Sequence, residues 1–156
     1  NMDRLAKKFR TASRLVPPPE VELNADAKIG FIAYGTSHFS VAESRDQLRE
    51  EEKIETSYFR LRAYPFTESL VEFIEKHDRV YVIEQNRDAQ MLSLMRLELT
   101  PELIAKLRSV LHYNGLPIDA RSITDDVLEQ EGLRPPRPAS MRHAMAGGAP
   151  NAGAGE

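Results

Sequence analysis

Arg79-Val-Tyr-Val-Ile-Glu84, continued by Gln85-Asn-Arg-Asp88 and Gln90, is the stretch on which the fold reading turns. Val80, Tyr81, Val82 and Ile83 form an apolar run rich in β-branched residues, bounded by charge at both ends. A continuous apolar centre, rather than an alternating one, predicts a strand covered on both faces, as in a parallel sheet. The polar residues that follow leave this strand together. In open α/β sheets, the carboxyl ends of the strands are where ligands bind.

Other segments fit the same frame. Residues 28–34 read as a buried strand, stopped by Gly35-Thr36-Ser37. A helix is predicted over 38–52, with Ser37 or Ser40 as its cap and a charged later half. Residues 54–61 read as a second strand, 68–76 as a helix, and 79–84 as the third strand. Residues 89–99 fit either helix or strand; Met91, Leu94 and Met95 at i, i+3, i+4 favour helix. Thr100-Pro101-Glu102 opens another short helix, since proline suits the first turn. Residues 110–113 read as a fourth strand. Ser122 or Thr124 is expected to cap a last helix that reaches Glu131 and ends at Gly132. The result is an α/β domain: a three-layer, open, mostly parallel sheet with helices on both faces.

Composition divides the chain into three. Residues 1–26 hold Arg4, Lys7, Lys8, Arg10 and Arg14 against Asp3, then Pro17-Pro18-Pro19. They read as a basic helix and a stiff linker from a preceding domain. Residues 27–132 are the folded body. Residues 133–156, rich in Pro, Gly and Ala, are expected to be a disordered tail. Over the 156 residues, 41% are hydrophobic and 29% charged, enough for a core within one ordinary domain. A net charge of −3 argues against a basic nucleic-acid binder. The chain has no cysteine, which excludes disulfides, thiolate zinc sites, a cysteine nucleophile and a cysteine-held iron–sulfur cluster within it. That is compatible with a reducing cytoplasm, the expected location. No run approaches the roughly 20 apolar residues of a membrane span, so no membrane partner is expected. A chain opening on Asn1 reads as a segment of something longer.

Two strand ends are candidate sites. Gly35-Thr36-Ser37 offers backbone N–H groups at a helix start, which suit either an anion or a plain capped turn. The polar set Glu84, Gln85, Asn86, Asp88 and Gln90 fits a polar turn, a ligand site or an interface. Glu84 and Asp88 have the chemistry for a hard cation such as magnesium, but no partner loop accompanies them. His38, His77, His112 and His143 are far apart in sequence, without metal-ligand spacing. His112 is expected near the Glu84 edge. Ser44 and Ser109 lack the glycines of a nucleophile elbow. No catalytic constellation is visible.

Ile32-Ala-Tyr-Gly-Thr-Ser37, Tyr58-Phe-Arg-Leu-Arg-Ala-Tyr-Pro-Phe66, Arg79-Val-Tyr-Val-Ile-Glu-Gln-Asn-Arg-Asp-Ala-Gln-Met91 and Leu107-Arg-Ser-Val-Leu-His-Tyr113 resemble the end of the α subunit of 2-oxoacid:ferredoxin oxidoreductases, the 2-oxoglutarate type above all. The resemblance runs over about residues 1–128. It implies a fold like the C-terminal domain of transketolase. The complete enzyme it implies uses thiamine diphosphate, magnesium, an iron–sulfur cluster and coenzyme A to decarboxylate a 2-oxoacid oxidatively, with electrons passed to ferredoxin. Its partners would be the preceding α-subunit domains and the β subunit. No catalytic, cofactor-binding or metal-binding residue of the family transfers to a position here, and the isolated chain is expected to be inactive. Glu84, Gln85, Asn86, Asp88 and Gln90 are then expected to form a polar interface. Two other readings remain: a transketolase or 2-oxoacid dehydrogenase E1-type domain, and a free-standing module for small anions or partners using the Gly35 turn.

Overall fold

In the computed structural model, which describes residues 2–12 and 14–136, the deciding stretch forms strand β4 (Arg79–Glu84). In chain order the elements are α1 (Met2–Ala12), β1 (Glu20–Glu22), β2 (Ile29–Tyr34), α2 (Ser37–Glu52), β3 (Thr56–Leu61), α3 (Glu68–Glu75), β4, α4 (Gln90–Glu98), α5 (Pro101–Lys106), β5 (Leu107–Leu111) and α6 (Ala120–Gln130). The five strands order as β1-β3-β2-β4-β5. All neighbours are parallel except β1, which runs antiparallel to β3. The expected α/β sheet with helices on both faces is therefore the observed one.

Period-two alternation sorts the strand side chains between two cores. Phe31, Tyr58, Tyr81 and Val110 face one layer, where Val41 and Leu48 of α2 meet Ile123 and Val127 of α6. Ile32, Phe59, Val82 and Leu107 face the other, against Phe73 of α3, Met95 of α4 and Leu103 of α5. Most of these side chains are fully buried, each stabilising the fold by about 1.5–3 kcal/mol. The α2–α6 layer also holds a polar seam. Ser44 Oγ lies 2.8 Å from Thr124 Oγ1, which donates to Gln47 Oε1 at 2.8 Å.

The structure departs from the sequence reading at several boundaries. Glu20–Glu22, assigned above to the linker, is an edge strand. It is held by Arg45 to Glu22 at 2.6 Å and Arg60 to Glu20 at 3.0 Å. The fourth predicted strand begins at Leu107 rather than residue 110, with Arg108 and Ser109 tolerated because β5 lies at the sheet margin. There, Arg108 Nη1 donates to the carbonyls of Ala105 and Leu107, and Gln130 Nε2 to that of Ser109. Neither Ser37 nor Ser40 caps α2; Ser40 Oγ donates to the Ile118 carbonyl at 2.6 Å instead. Asp119, not Ser122 or Thr124, caps α6, accepting the Ser122 N–H at 2.8 Å. Residues 137–156 of the expected tail lie outside the described residues.

Gly30 on β2 lies under α3. A Cβ there would fall 2.7 Å from Phe73 Cε1 and 3.2 Å from His77 Nδ1. Gly30→Ala is expected to destabilise the fold by about 1–3 kcal/mol through overpacking. Urea denaturation measures this, and an unchanged midpoint would show that α3 moves aside freely.

Candidate functional site

The strand order reverses between β2 and β4: from β2 the chain builds outward to β3, then crosses back to β4. The crevice beyond the carboxyl ends of two such strands is where open α/β sheets bind ligands. Here β2 leads through Gly35, at φ 60°, to Thr36 and Ser37 at the start of α2, while β4 leads to Glu84 and Gln85. The Gln85 side chain spans the gap. Its Nε2 donates to Ser37 Oγ at 3.0 Å and Thr36 Oγ1 at 3.3 Å. Its Oε1 accepts the Ile118 N–H at 3.2 Å. One amide thus uses donors and acceptor to tie the β2, β4 and β5 connections together.

Glu84 is fully buried. Its Oε2 accepts the Met91 N–H at 2.7 Å and Asn86 Nδ2 at 2.9 Å; its Oε1 accepts the Leu92 N–H at 3.1 Å. The free N–H groups at the start of α4 are satisfied by the strand that precedes the helix, and the acidic group sits at the positive end of the helix dipole. Asn86 Oδ1 accepts the N–H groups of Asp88 at 3.1 Å and Gln90 at 3.3 Å. Ala89, at φ 49°, then swings the chain into the helix. Tyr34 lies against this group. Burial first, and then the Glu84 charge, raise its phenol above the ordinary tyrosine value.

Of the five residues expected to face a partner, Glu84 instead turns inward, because its oxygens serve α4. Asn86 is half-buried and mostly engaged within its own loop. Gln85, Asp88 and Gln90 are exposed, with Asp88 paired to Arg87 at 2.8 Å. His112 does come to the Glu84 edge, its N–H on the Glu84 carbonyl at 2.9 Å, but its ring donates to the Leu116 carbonyl at 3.1 Å. His77 is buried, with Nδ1 on the Phe73 carbonyl at 2.7 Å, and burial lowers its pKa. His38 stacks on Tyr58, and His143 is outside the described residues. Among the described residues no three His, Asp or Glu side chains group as metal ligands. With Glu84 already engaged by three donors, the Glu84–Asp88 pair does not fit a magnesium-held diphosphate.

Sequence reading missed a polar cluster at the opposite end of the sheet. Glu131 there accepts from Arg79 Nε and Nη2 at 2.5 Å and from Tyr81 Oη at 2.6 Å. These residues are far apart along the chain, and nothing in their local pattern connects them. A cleft of about 230 Å3 between α2 and the β1–β3 edge has His38, Arg45 and Tyr58 among its walls. Burial, foremost, pushes the Tyr58 phenol up to about 12.

Fold and strand ends together define an open α/β domain whose switch point is bridged by the Gln85 amide. The comparisons agree with the resemblance read from the sequence. The chain is similar to the α subunit of 2-oxoacid:ferredoxin oxidoreductase 2 from Aeropyrum pernix, with 25% identity over 122 residues, 75% of this chain. Its fold matches a chain of the 2-oxoglutarate:ferredoxin oxidoreductase of Magnetococcus marinus at a TM-score of 0.67 and 22% identity, over 78% of this chain. That solved structure contains 2-oxoglutarate, coenzyme A and succinyl-CoA. This chain spans only 18% of the curated relative's length and 21% of the solved chain. No family model matches it.

Glu84→Gln places an amide N–H against the N–H of Met91 or Leu92 and leaves one buried donor unpaired. The expected cost is about 1–3 kcal/mol, with faster hydrogen exchange at Met91 and Leu92. Unchanged exchange at those amides would show that Glu84 does not hold α4.

Proposed function

We propose that this chain is the C-terminal region of the α subunit of a thiamine diphosphate-dependent 2-oxoacid:ferredoxin oxidoreductase, and that it serves assembly rather than the chemical step. The observation that carries the second half is that the strand ends are used internally: Gln85 bridges Ser37 and Ile118, and Glu84 is spent on α4. The likeness to the A. pernix subunit supports the first half. In this reading the complete enzyme decarboxylates 2-oxoglutarate or a related 2-oxoacid, passes electrons to ferredoxin and transfers the acyl group to coenzyme A. Thiamine diphosphate, magnesium and the iron–sulfur cluster are held by other parts of the assembly. This chain's own residues hold a neighbour in place. Small displacements beside a cofactor site built between chains cost rate, so a rigid buttress is useful there.

The contact surface in this reading is the outer side of the β4–α4 loop, where Asp88 and Gln90 project from a backbone fixed by Glu84 and Asn86, while Gln85 braces the loop from within. The neighbour is a preceding domain of the same subunit or the β subunit, and the assembly works in the cytoplasm.

The test is native purification of the tagged chain, with its partners, from its source cells. Ferredoxin reduction that depends on a 2-oxoacid and coenzyme A is expected to copurify. Asp88→Arg with Gln90→Arg is expected to loosen the assembly and lower turnover severalfold while thiamine diphosphate content per intact complex stays the same. A chain that purifies without this activity overturns the proposal.

A further inference from the structure

Asn24, Asn86 and Asn114 share one local geometry. In each, the side-chain oxygen accepts the N–H two residues on: that of Asp26 at 3.0 Å, of Asp88 at 3.1 Å and of Leu116 at 2.9 Å. The turns differ in what holds the amide nitrogen and in the residue that follows. Asn24 Nδ2 donates to Glu55 Oε2 at 2.8 Å, and Asn86 Nδ2 to Glu84 Oε2 at 2.9 Å. Ala25 and Arg87 come next in the chain. Among the described residues, Asn114 Nδ2 has no acceptor, and the next residue is Gly115. Gly115 is exposed, at φ 88°, with nothing within 4 Å of where a Cβ would stand. Its N–H makes no hydrogen bond among the described residues.

A backbone nitrogen next to a side-chain carbonyl is a nucleophile kept beside its electrophile. At Asn114 the Leu116 N–H already points at the oxygen on which negative charge develops when that carbonyl is attacked. Gly115 has no side chain to obstruct the approach. We propose that Asn114–Gly115 is a site of spontaneous deamidation and isomerisation, and that the product loosens the brace at the switch point. Hydroxide takes the Gly115 N–H proton, and the nitrogen bonds to Asn114 Cγ, closing a succinimide ring. The Cγ–Nδ2 bond breaks, and Nδ2 leaves as ammonia with a proton taken from water. Water then opens the ring at either carbonyl, giving aspartate or isoaspartate. The net change consumes a water and releases an ammonia. Isoaspartate adds a methylene to the main chain between His112, whose ring donates to the Leu116 carbonyl, and Ile118. Ile118 is where the Gln85 amide and the Ser40 hydroxyl attach, at 3.2 and 2.6 Å. The added length and charge fall in that short segment.

The test is incubation of the full 156-residue chain over days at a series of pH values, with mass spectrometry of tryptic peptide 109–121. An amide-to-acid mass shift at Asn114 is expected, faster at higher pH because the Gly115 nitrogen must lose its proton. Both products are expected, with isoaspartate identified by its methylation by an isoaspartyl methyltransferase. Gly115→Ala is expected to slow conversion about tenfold or more. Ageing is expected to speed hydrogen exchange at the Ile118 amide severalfold. Asn114→Ser removes the electrophile, so its Ile118 exchange is expected to stay the same on ageing. No conversion at Asn114, aspartate as the sole product, equal conversion at Asn24 and Asn86, or indifference to Gly115→Ala overturns the site. Unchanged Ile118 exchange in the converted chain overturns its consequence. The readout is covalent, so its failure is separate from any failure of the oxidoreductase reading.

Discussion

A buried acidic side chain must find donors, and the first turn of a helix must find acceptors. Glu84 meets both demands with one group. It ends β4 fully buried, and its oxygens take the Met91 and Leu92 N–H groups at the head of α4. The bond fixes where α4 begins relative to the central strand. With that distance set, Asn86 can shape the turn and Ala89 can adopt its positive φ. Gln85 is then held at the position from which it reaches Ser37 and Ile118. The packing of Met95 and Leu92 on the sheet follows from the same anchor.

This economy has a functional side. A ligand site keeps polar groups poised and incompletely satisfied; a scaffold satisfies them internally. The carboxyl edge of this sheet is of the second kind. Gln85 uses both ends of its amide, and the His112 ring is turned to a carbonyl. What remains outward is a polar loop on a rigid base, the surface that the assembly role proposed above assigns to a neighbour.

The strands legible in the sequence were those with continuous apolar centres. Residues 79–84 and 29–34 are buried on both faces, so composition alone marks them. Glu20–Glu22 is short, charged and follows three prolines, so only its pairing with β3 makes it a strand. Caps were harder to read. Ser122 looks like a cap by type, yet Asp119 lies at the spacing that reaches the Ser122 N–H, and it accepts the Ser122 hydroxyl as well. The polar loop after β4 was visible as a cluster. Its division into inward Glu84 and outward Asp88 was not, because that depends on the backbone turn at Ala89, which no residue type announces. An Asx-turn residue two places after a strand-ending Glu was the available signal.

The margins of the sheet have a consequence for how the molecule lives among copies of itself. Strand addition, the route to fibrils and to runaway sheet growth, needs an open row of backbone donors and acceptors. On β5 the Leu107 and Ser109 carbonyls are already taken by Arg108 and Gln130. The opposite margin is three residues long and bristles with Glu20 and Glu22 locked to arginines. Among the described residues both margins thus work against strand addition, which shifts the choice of company toward side chains on helices and loops.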